Sequence, residues 1–401
     1  MRLAGANLAA QSAEQISLAA VPIVAVLALG AGPGEIGLLA TAQTLPFLLL
    51  SIPTGLLADR VSKRRLMCVA EVLRLLAFVG LLAADLLGMM SLPVLAVLGF
   101  LGATGTVGFS VAAPALVPRL VPRHALGAAN GRLELARSAA FAAGPALAGA
   151  LVAWAGATPA FVLAAMLSAA ALALLLALPE PAAAPIAPRR HPLVELKEGA
   201  NLVWHNPLLR PVLLTAVVWN IAWFVLQAAY VPYAVHQLGL SAAAVGFTLA
   251  AYGVGMVVGA LGAARLLRVL PFGRAVVLGP VVSVLAIGVM ALTLWAPPLS
   301  GPALPTLSFF LFGAGPIIWT ITSTTLRQSI TPSAALGRVT AIFLAVNMGA
   351  RPLGAALGGW VDALYGAHAC LLLALAGFGL QAVVISASAI PRLRSLPAAV
   401  A

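Results

Sequence analysis

The string GLLADRVSKRRLM, residues 55–67, is a short charged break between two long apolar runs. The runs lie near 35–58 and 66–88, and both are rich in Leu and Ala. An α-helix rises about 1.5 Å per residue, so about 20 apolar residues cross a hydrocarbon core about 30 Å thick. The string therefore predicts a short basic turn that joins two membrane-spanning helices at one face of a bilayer.

The same alternation of apolar run and short break continues over the whole chain of 401 residues, which is 62% hydrophobic and only 8% charged. Soluble domains carry roughly 25% charged residues, so a soluble fold is excluded. Each span with its connection needs roughly 33 residues, which predicts about twelve spans. The runs lie near 7–29, 35–58, 66–88, 91–117, 128–153, 158–179, 208–235, 241–266, 273–296, 303–327, 335–360 and 364–390.

The longest polar segment, residues 180–207, divides these runs into two sets of six. VPIVAVLALGAGPGEIG at 21–37 also resembles VPYAVHQLGLSAAAVG at 231–246. Such a repeat is typical of transporters built from two parallel halves. We therefore predict an all-α membrane protein with two pseudo-symmetric six-helix bundles. Its predicted parts are an N-terminal bundle over 1–179, a cytoplasmic linker over 180–207 and a C-terminal bundle over 208–401.

The formal net charge of +12 does not indicate nucleic-acid binding, because the basic residues form small clusters between apolar runs without interleaved aromatics. They follow membrane topology instead. Apart from Arg74, Arg137 and Arg351, every Lys and Arg lies at a terminus, in an even-numbered connection or near the end of a run that adjoins one. Basic connections stay on the cytoplasmic side of a membrane. The pattern predicts an even number of spans, with both termini in the cytoplasm.

The break at 55–67 resembles the signature between spans two and three of the major facilitator superfamily. The residues in register with that signature are Gly55, Leu57, Ala58, Asp59, Arg60, Lys63 and Arg64, with Ser62 in place of its glycine. The resemblance implies the twelve-helix facilitator fold and transport by alternating access. Asp59 can pair with a neighbouring Arg or with a helix N-terminus and hold the inward mouth shut. In the alternative interpretation, the motif only anchors the topology at the lipid headgroups.

Two further strings are similar to the bacterial branch of this family that includes the enterobactin exporter and macrolide-efflux proteins. They are PALVPRLVPRHALGAANG at 114–131 and EGANLVWHNPLLRPVLL at 198–214. In span five, Gly144, Pro145 and Gly149 match part of the family's antiporter signature, although two of its glycines are alanine here. The match implies export, while small residues and a proline also suit close helix packing alone.

Ionisable side chains inside a span are costly in lipid and are therefore candidates for function. Glu14 lies about ten residues into the first run, near the middle of the membrane, with no basic residue three or four positions away. Burial favours the neutral form of a carboxyl, so Glu14 can bind and release a proton, and we predict that it is the proton-coupling group. A structural, hydrogen-bonded Glu14 is the alternative. Glu71 with Arg74, and Glu134 with Arg137, are spaced i, i+3 and can neutralise each other.

Polar and aromatic side chains inside the spans predict a substrate cavity. The candidates are Asn220, Trp223, Gln227 and Tyr230, which recur at helical spacing in span seven, Asn347 and Arg351 in span eleven, and Arg137 in span five. Arg351 has no acid nearby in the sequence, so it needs an acid from another helix or an anionic group of the substrate. Aromatic residues such as Trp223 and Tyr230 also serve as packing residues or interfacial anchors.

The function that these observations favour is secondary transport. Lys63 and Lys197 are followed by Arg and Glu, so the P-loop string needed for ATP hydrolysis is missing, and no catalytic motif, cofactor or metal site is predicted. We expect a proton-coupled antiporter that exports a small amphipathic or hydrophobic compound, such as a drug, macrolide or siderophore-like molecule, by alternating access. Uptake of a nutrient or metabolite is the alternative, and a membrane receptor or enzyme is a remote one.

The expected setting is the inner (plasma) membrane of a bacterium, in which the chain acts as a monomer. Its expected partners are a small-molecule substrate, the proton and the lipid bilayer, with no nucleic acid. The bacterial source follows from the resemblance and from the excess of Arg over Lys, which fits a GC-rich genome.

Overall fold

The structure, a computed structural model, describes residues 2–120, 126–178, 192–295, 301–332 and 335–397. These residues form helices with short connections and contain no β-strand. The helices are α1 Arg2–Leu29, α2 Pro33–Arg60, α3 Lys63–Leu86, α4 Leu92–Leu120, α5 Leu126–Ala155, α6 Ala157–Leu176, α7 Pro192–His205, α8 Leu209–Pro232, α9 Ala242–Val269, α10 Phe272–Leu292, α11 Ala303–Ile330 and α12 Leu336–Ser386. A π-helix, Tyr233–Gln237, extends α8, and a 3-10 helix, Ile390–Arg392, follows α12.

The last helix, α12, contains two spans. As a straight helix it would measure about 77 Å, more than twice the thickness of the hydrocarbon core. Gly366 interrupts it with a φ of 79°, a left-handed conformation that glycine adopts without strain. Eleven helices in the described part of the chain are long and apolar enough to cross a membrane. Because α12 crosses twice, the spans number twelve, and the predicted all-α membrane fold is confirmed.

Most helix boundaries lie within about one turn of the predicted runs, and local residues set several of them. The first residue of α3 follows Ser62, whose Oγ accepts a hydrogen bond from the backbone N–H of Arg65 at 3.3 Å. The first residue of α9 follows Ser241, whose Oγ accepts from the Ala244 N–H at 3.3 Å. Both serines satisfy a backbone donor that the helix itself leaves free.

Large apolar side chains cover the outside of the bundle. Leu38, Val97, Leu261 and Val269 are among those that are well exposed. Contiguous exposed apolar surface of this kind marks contact with lipid rather than with water. The chain is therefore a multi-pass membrane protein.

The helices pack in two groups that meet along two seams. Helices α1 to α6 contact one another, as do α8 to α12, and between the groups α2 packs against α12 and α5 against α9. A Cβ added at Gly37 of α2 would lie 2.1 Å from Cα of Gly359 in α12, and one added at Gly149 of α5 would lie 2.8 Å from Cα of Gly246 in α9. Glycine lets the backbones touch at both points. Both contacts lie toward the end that carries the connection between α1 and α2, here called the α1–α2 end, so this end is closed.

The short helix α7 packs on α8 and α12. Arg338 of α12 donates to Glu198 Oε2 of α7 at 2.5 Å, and a Cβ at Gly199 would meet Arg338 at 3.1 Å. These contacts hold α7 against the second helix group. Residues 180–191 of the predicted linker lie outside the described residues, and the domain boundaries stay predictions.

Candidate functional site

Buried side chains of α1, α3 and α6 form an ion cluster. Arg74 of α3 donates from Nη1 to Oε1 of Glu71 at 2.9 Å, as their i, i+3 spacing predicts. Its Nη2 donates to the carbonyl oxygen of Ala10 in α1. Ser168 of α6 donates to the second carboxylate oxygen of Glu71 at 2.8 Å. Arg74 and Glu71 are only 1% and 0% exposed, so this pair is almost completely buried.

Glu14 of α1 shares Arg74 with Glu71 but lies on the accessible side of the cluster. Its Oε2 is 3.8 Å from Nη2 of Arg74, an ion-pair distance that is too long for a hydrogen bond. The Glu14 side chain is 16% exposed, and it lines a cavity. Glu14 is therefore the carboxyl of this cluster that a solute can reach.

The cavity beside Glu14 has a volume of about 100 Å³. It lies chiefly among α1 to α4, with one residue each from α8 and α12. Its polar and charged lining residues are Glu14, Ser17, Gln43, Thr44, Arg74, Thr106 and Arg351, and its aromatic ones are Phe47, Phe78 and Phe224. Pockets for drug-sized ligands hold about 300–1,000 Å³. In this conformation the cavity admits a few waters or a small group, and a larger solute requires the helices to move apart.

Arg351 of α12 lines the same cavity. Its guanidinium carbon lies 5.1 Å from the ring centre of Phe47 in α2 and 5.6 Å from that of Phe224 in α8, so two cation–π contacts hold it. Its Nε has no hydrogen-bond partner, and it interacts electrostatically with Glu14. Asn347, one turn earlier, is half-buried, and its Oδ1 also has no partner in the described part of the chain. The guanidinium edge of Arg351 can therefore donate to an acceptor in the cavity.

Arg137 of α5 lies near this cluster without lining the cavity. Its guanidinium carbon is 5.5 Å from the ring centre of Phe141, one turn later. It interacts electrostatically with both Glu14 and Arg351. Glu14 therefore lies beside the cation Arg74 and in the same cluster as a second carboxylate, Glu71.

The polar and aromatic stripe of α8 does not line this cavity. Trp223 and Tyr230 are buried and pack against aromatic rings of α9 and α11. Asn220 donates to the carbonyl oxygen of Ala216 on its own helix at 2.9 Å, and Gln227 is half-buried. In this conformation the four α8 candidates therefore lie outside the cavity.

The predicted gating motif lies at the turn between α2 and α3, at the opposite end from the closed seams. The side chains of Asp59 and Arg60 lie outside the described part of the structure. A Cβ at Gly55 would meet no described atom within 4 Å, so no close helix contact is seen there. Lys63 is buried, and Arg64 donates to two carbonyls at the end of α6 at 3.0 and 2.5 Å. Arg64 thus compensates the negative C-terminus of α6.

The span-five motif lies where α5 touches both α1 and α9. A Cβ at Gly144 would lie 2.5 Å from the Cβ of Gln15 in α1. One at Gly246 of α9 would lie 2.4 Å from the carbonyl oxygen of Pro145 and 2.8 Å from the Cα of Gly149. The small residues of the motif therefore allow close backbone packing of α5 against α1 and against α9 at the seam.

Sequence reasoning missed most of the cavity lining. Gln43 and Thr106 are polar residues inside apolar runs, and that signal was present in the sequence. Phe47 and Phe224 carry no such signal, because their contact with Arg351 depends on where three helices meet. Among the described residues, no group of three His, Cys, Asp or Glu is placed to hold a metal ion.

A bundle of twelve spans around a polar, charged cavity defines a multi-pass membrane transporter. The chain belongs to the Major Facilitator Superfamily, whose family model matches residues 3–355. It is 32% identical over 336 residues to the enterobactin exporter EntS of Citrobacter koseri, covering 82% of this chain and 76% of the relative. It is 31% identical over 317 residues to the enterobactin exporter EntS of Shigella boydii serotype 18, covering 77% of this chain and 72% of that relative.

Solved structures share the fold. The crystal structure of nucleoside transporter NupG matches with a TM-score of 0.76 at 13% identity, covering 96% of this chain and 97% of that one. That of a bacterial homologue of iron transporter ferroportin in inward-facing state matches with a TM-score of 0.72 at 18% identity, covering 96% of this chain and 97% of that one. The predicted membership of the family, with its similarity to enterobactin exporters, is confirmed, and the chain is a transporter.

Proposed function

We propose that the chain exports a small amphipathic or hydrophobic compound in exchange for protons, with Glu14 as the proton-coupling group. The observation that supports this proposal is the position of Glu14, a cavity-lining carboxyl 3.8 Å from a buried arginine. Ionisable groups in membrane spans are energetically costly, so their presence there points to a functional role. A carboxyl that is partly exposed to a cavity can change its protonation state without unfolding the helices around it.

Competition between the substrate and a proton for Glu14 would couple substrate export to proton entry. When ionised, Glu14 is attracted to Arg74 and can accept hydrogen bonds from a substrate. When protonated, it loses its charge, and Arg74 stays paired with Glu71 at 2.9 Å, so no unpaired charge is left in the cluster. If substrate and proton exclude each other, one is carried outward and the other inward.

Alternating access requires the two helix groups to move relative to each other. The seams of α2 with α12 and of α5 with α9 are the surfaces that would separate at the α1–α2 end. Asp59 and the basic residues that follow it would close the opposite end in turn. The conformation described here represents one half of that cycle, because its α1–α2 end is closed.

The composition of the cavity supports an amphipathic substrate. Phe47, Phe78 and Phe224 offer apolar surface, while Gln43 and Arg351 offer hydrogen-bond donors. Pockets of this mixed kind orient a ligand through a few polar groups within an apolar wall. The outward direction is supported by similarity to proteins named enterobactin exporters and by the span-five motif.

The proposed setting is the inner membrane of a bacterium, with the chain acting as a monomer and both termini in the cytoplasm. The basic residues of the even-numbered connections support this orientation. In that orientation, the closed α1–α2 end faces away from the cytoplasm.

Transport into inverted membrane vesicles, with a panel of compounds and with or without a proton gradient, tests the proposal. We expect gradient-dependent accumulation by the wild type and none by Glu14→Gln, whereas exchange of substrate across the membrane survives in the variant. Asp85→Asn is the matched control, because Asp85 accepts a hydrogen bond from Thr158 away from the cavity. Accumulation by Glu14→Gln at the wild-type rate, with proton movement, would refute the role of Glu14. Accumulation only in right-side-out vesicles would show uptake instead.

A further inference from the structure

A second acid, Asp362 of α12, is buried without a partner among the described residues. Asp362 is only 3% exposed, and neither its Oδ1 nor its Oδ2 has a hydrogen-bond partner in the described part of the chain. Within the described residues it also forms no ion pair. A buried carboxylate with no donor or cation nearby is strongly disfavoured, whereas the neutral acid is tolerated.

Asp362 lies where α2, α8 and α12 meet at the closed α1–α2 end. Gly359 packs on Gly37 of α2, and Gly358 packs on Val225 of α8. At about 100° per residue, Asp362 projects about 60° from Gly359 and about 40° from Gly358 around the helix, between the two contacts. Separation of α2 from α12 would therefore bring water to the Asp362 carboxyl.

The sequence places no Lys or Arg at the α1–α2 end to neutralise Asp362. The connections at this end are residues 30–32, 87–91, 156, 238–241 and 293–302, together with the break at Gly366, and none of these residues is Lys or Arg. A carboxylate can therefore be stabilised here by water, when the seam is open, but not by a protein cation. With the seam closed, the proton is the remaining means of neutralising the charge.

The titratable groups on the elements around Asp362 do not replace that proton. They are Glu35 on α2, Tyr230 on α8, Tyr233 and His236 in the π-helix, and Tyr365, His368 and Cys370 on α12. The Glu35 carboxylate accepts a hydrogen bond from the backbone N–H of Gly32 at the start of its own helix. The hydroxyls of Tyr230 and Tyr233 form hydrogen bonds with threonine hydroxyls. The side chains of His236, Tyr365 and His368 are exposed. The Cys370 thiol donates to the backbone carbonyl oxygen of Gly358 at 3.2 Å.

We propose that Asp362 is a proton-binding site that is occupied when the α1–α2 end is closed and vacated when it opens. Closing this end then binds one proton, so a low pH on that side favours the closed conformation. The site is separate from the cavity, because Asp362 lies eleven residues, or about 16 Å along the helix, beyond Arg351. It goes beyond the proposed role of Glu14 and does not depend on it.

Opening of the seam between α2 and α12 can be measured in nanodiscs with spin labels on cysteines introduced at Leu38 and Leu364. These two exposed positions lie on either side of the seam. The background is cysteine-free and carries Glu14→Gln, so the result is independent of that carboxyl. We expect the ratio of closed to open conformations to fall by up to about tenfold per pH unit as the pH rises. Asp362→Asn, which mimics the neutral acid, should stay closed at every pH, whereas the control Asp85→Asn should keep the parent's pH dependence.

A second measurement detects the proton on Asp362 directly, so the test does not depend only on the folding of Asp362→Asn. Infrared difference spectra of the unlabelled Glu14→Gln protein should show the carbonyl stretch of a protonated carboxylic acid in the closed state, and Asp362→Ala or Asp362→Asn should lack it. Loss of that band together with loss of the pH dependence supports the site. An unchanged pH dependence in folded Asp362→Asn, or the same infrared band in the Asp362 variants, would overturn it.

Discussion

Replacing Gly37 by alanine should shift the transporter away from the conformation described here. The added Cβ would lie 2.1 Å from Cα and 2.9 Å from N of Gly359 in α12. Ordinary contact begins at about 3.4 Å, so α2 and α12 must separate by roughly 1.3 Å at this point. The nearest atoms belong to the backbone, so no side-chain rotation relieves the clash.

The size of the effect follows from the cost of overpacking. An extra methyl group forced into a close contact costs about 1–3 kcal/mol, and about 1.36 kcal/mol corresponds to a tenfold change in an equilibrium. The closed α1–α2 end should therefore lose about 5- to 150-fold in population relative to the open end. Transport should fall as well, because the return to the closed conformation becomes rare.

Distance distributions between spin labels at Leu38 and Leu364, in a cysteine-free background, measure this population. Gly288→Ala in α10 is the matched control, because a Cβ there would meet no described atom within 4 Å. We expect the control to keep the wild-type distribution. A closed population in Gly37→Ala equal to that of the wild type would refute the tight seam between α2 and α12.

Three further predictions concern the ion cluster, the gate and the topology. Arg74→Gln should lower the free energy of unfolding by about 3–5 kcal/mol, because it leaves Glu71 buried and without its cation. Replacing both Arg74 and Glu71 by Leu should lower it far less. Denaturant titration in detergent measures both losses, and equal losses would contradict the pairing. Asp59→Asn should bind substrate but fail to switch conformation, and normal turnover would reduce the motif to a topology anchor. Reporter fusions at Ala401 and near Pro185 should read cytoplasmic, and a periplasmic signal at either would overturn the orientation.

The spans were predictable because lipid thickness fixes the length of an apolar helix. The run near 66–88 corresponds to the helix Lys63–Leu86 within one turn. The first helix begins earlier than the run near 7–29, and there Arg2 donates to the carbonyl oxygen of Ala177 at 2.7 Å. That contact joins helices far apart in sequence, so periodicity and composition do not indicate it.

The candidate site was predictable only where a single residue is by itself energetically unfavourable in a membrane span. Glu14 stood out because an acid within an apolar run needs a reason to be there. The pairing of Glu71 with Arg74 followed from their spacing, but the 3.8 Å between Arg74 and Glu14 depends on how α1 packs on α3. Asp362 gave no signal beyond an acid near the end of a run, because its lack of partners becomes visible only once α2, α8 and α12 are assembled.

The two carboxyls have different consequences in the proposed cycle. Glu14 lines the cavity, which alternating access exposes to one side and then to the other, so a proton bound there crosses the membrane. A proton bound by Asp362 on closure returns to its original side on opening, because that site lies at one end only. It shifts the conformational equilibrium without adding to the protons carried per substrate. Asp362→Asn should therefore change the pH dependence of transport but keep the wild-type ratio of protons to substrate. A changed ratio, measured by proton and substrate fluxes in the same vesicles, would place Asp362 on the proton pathway itself.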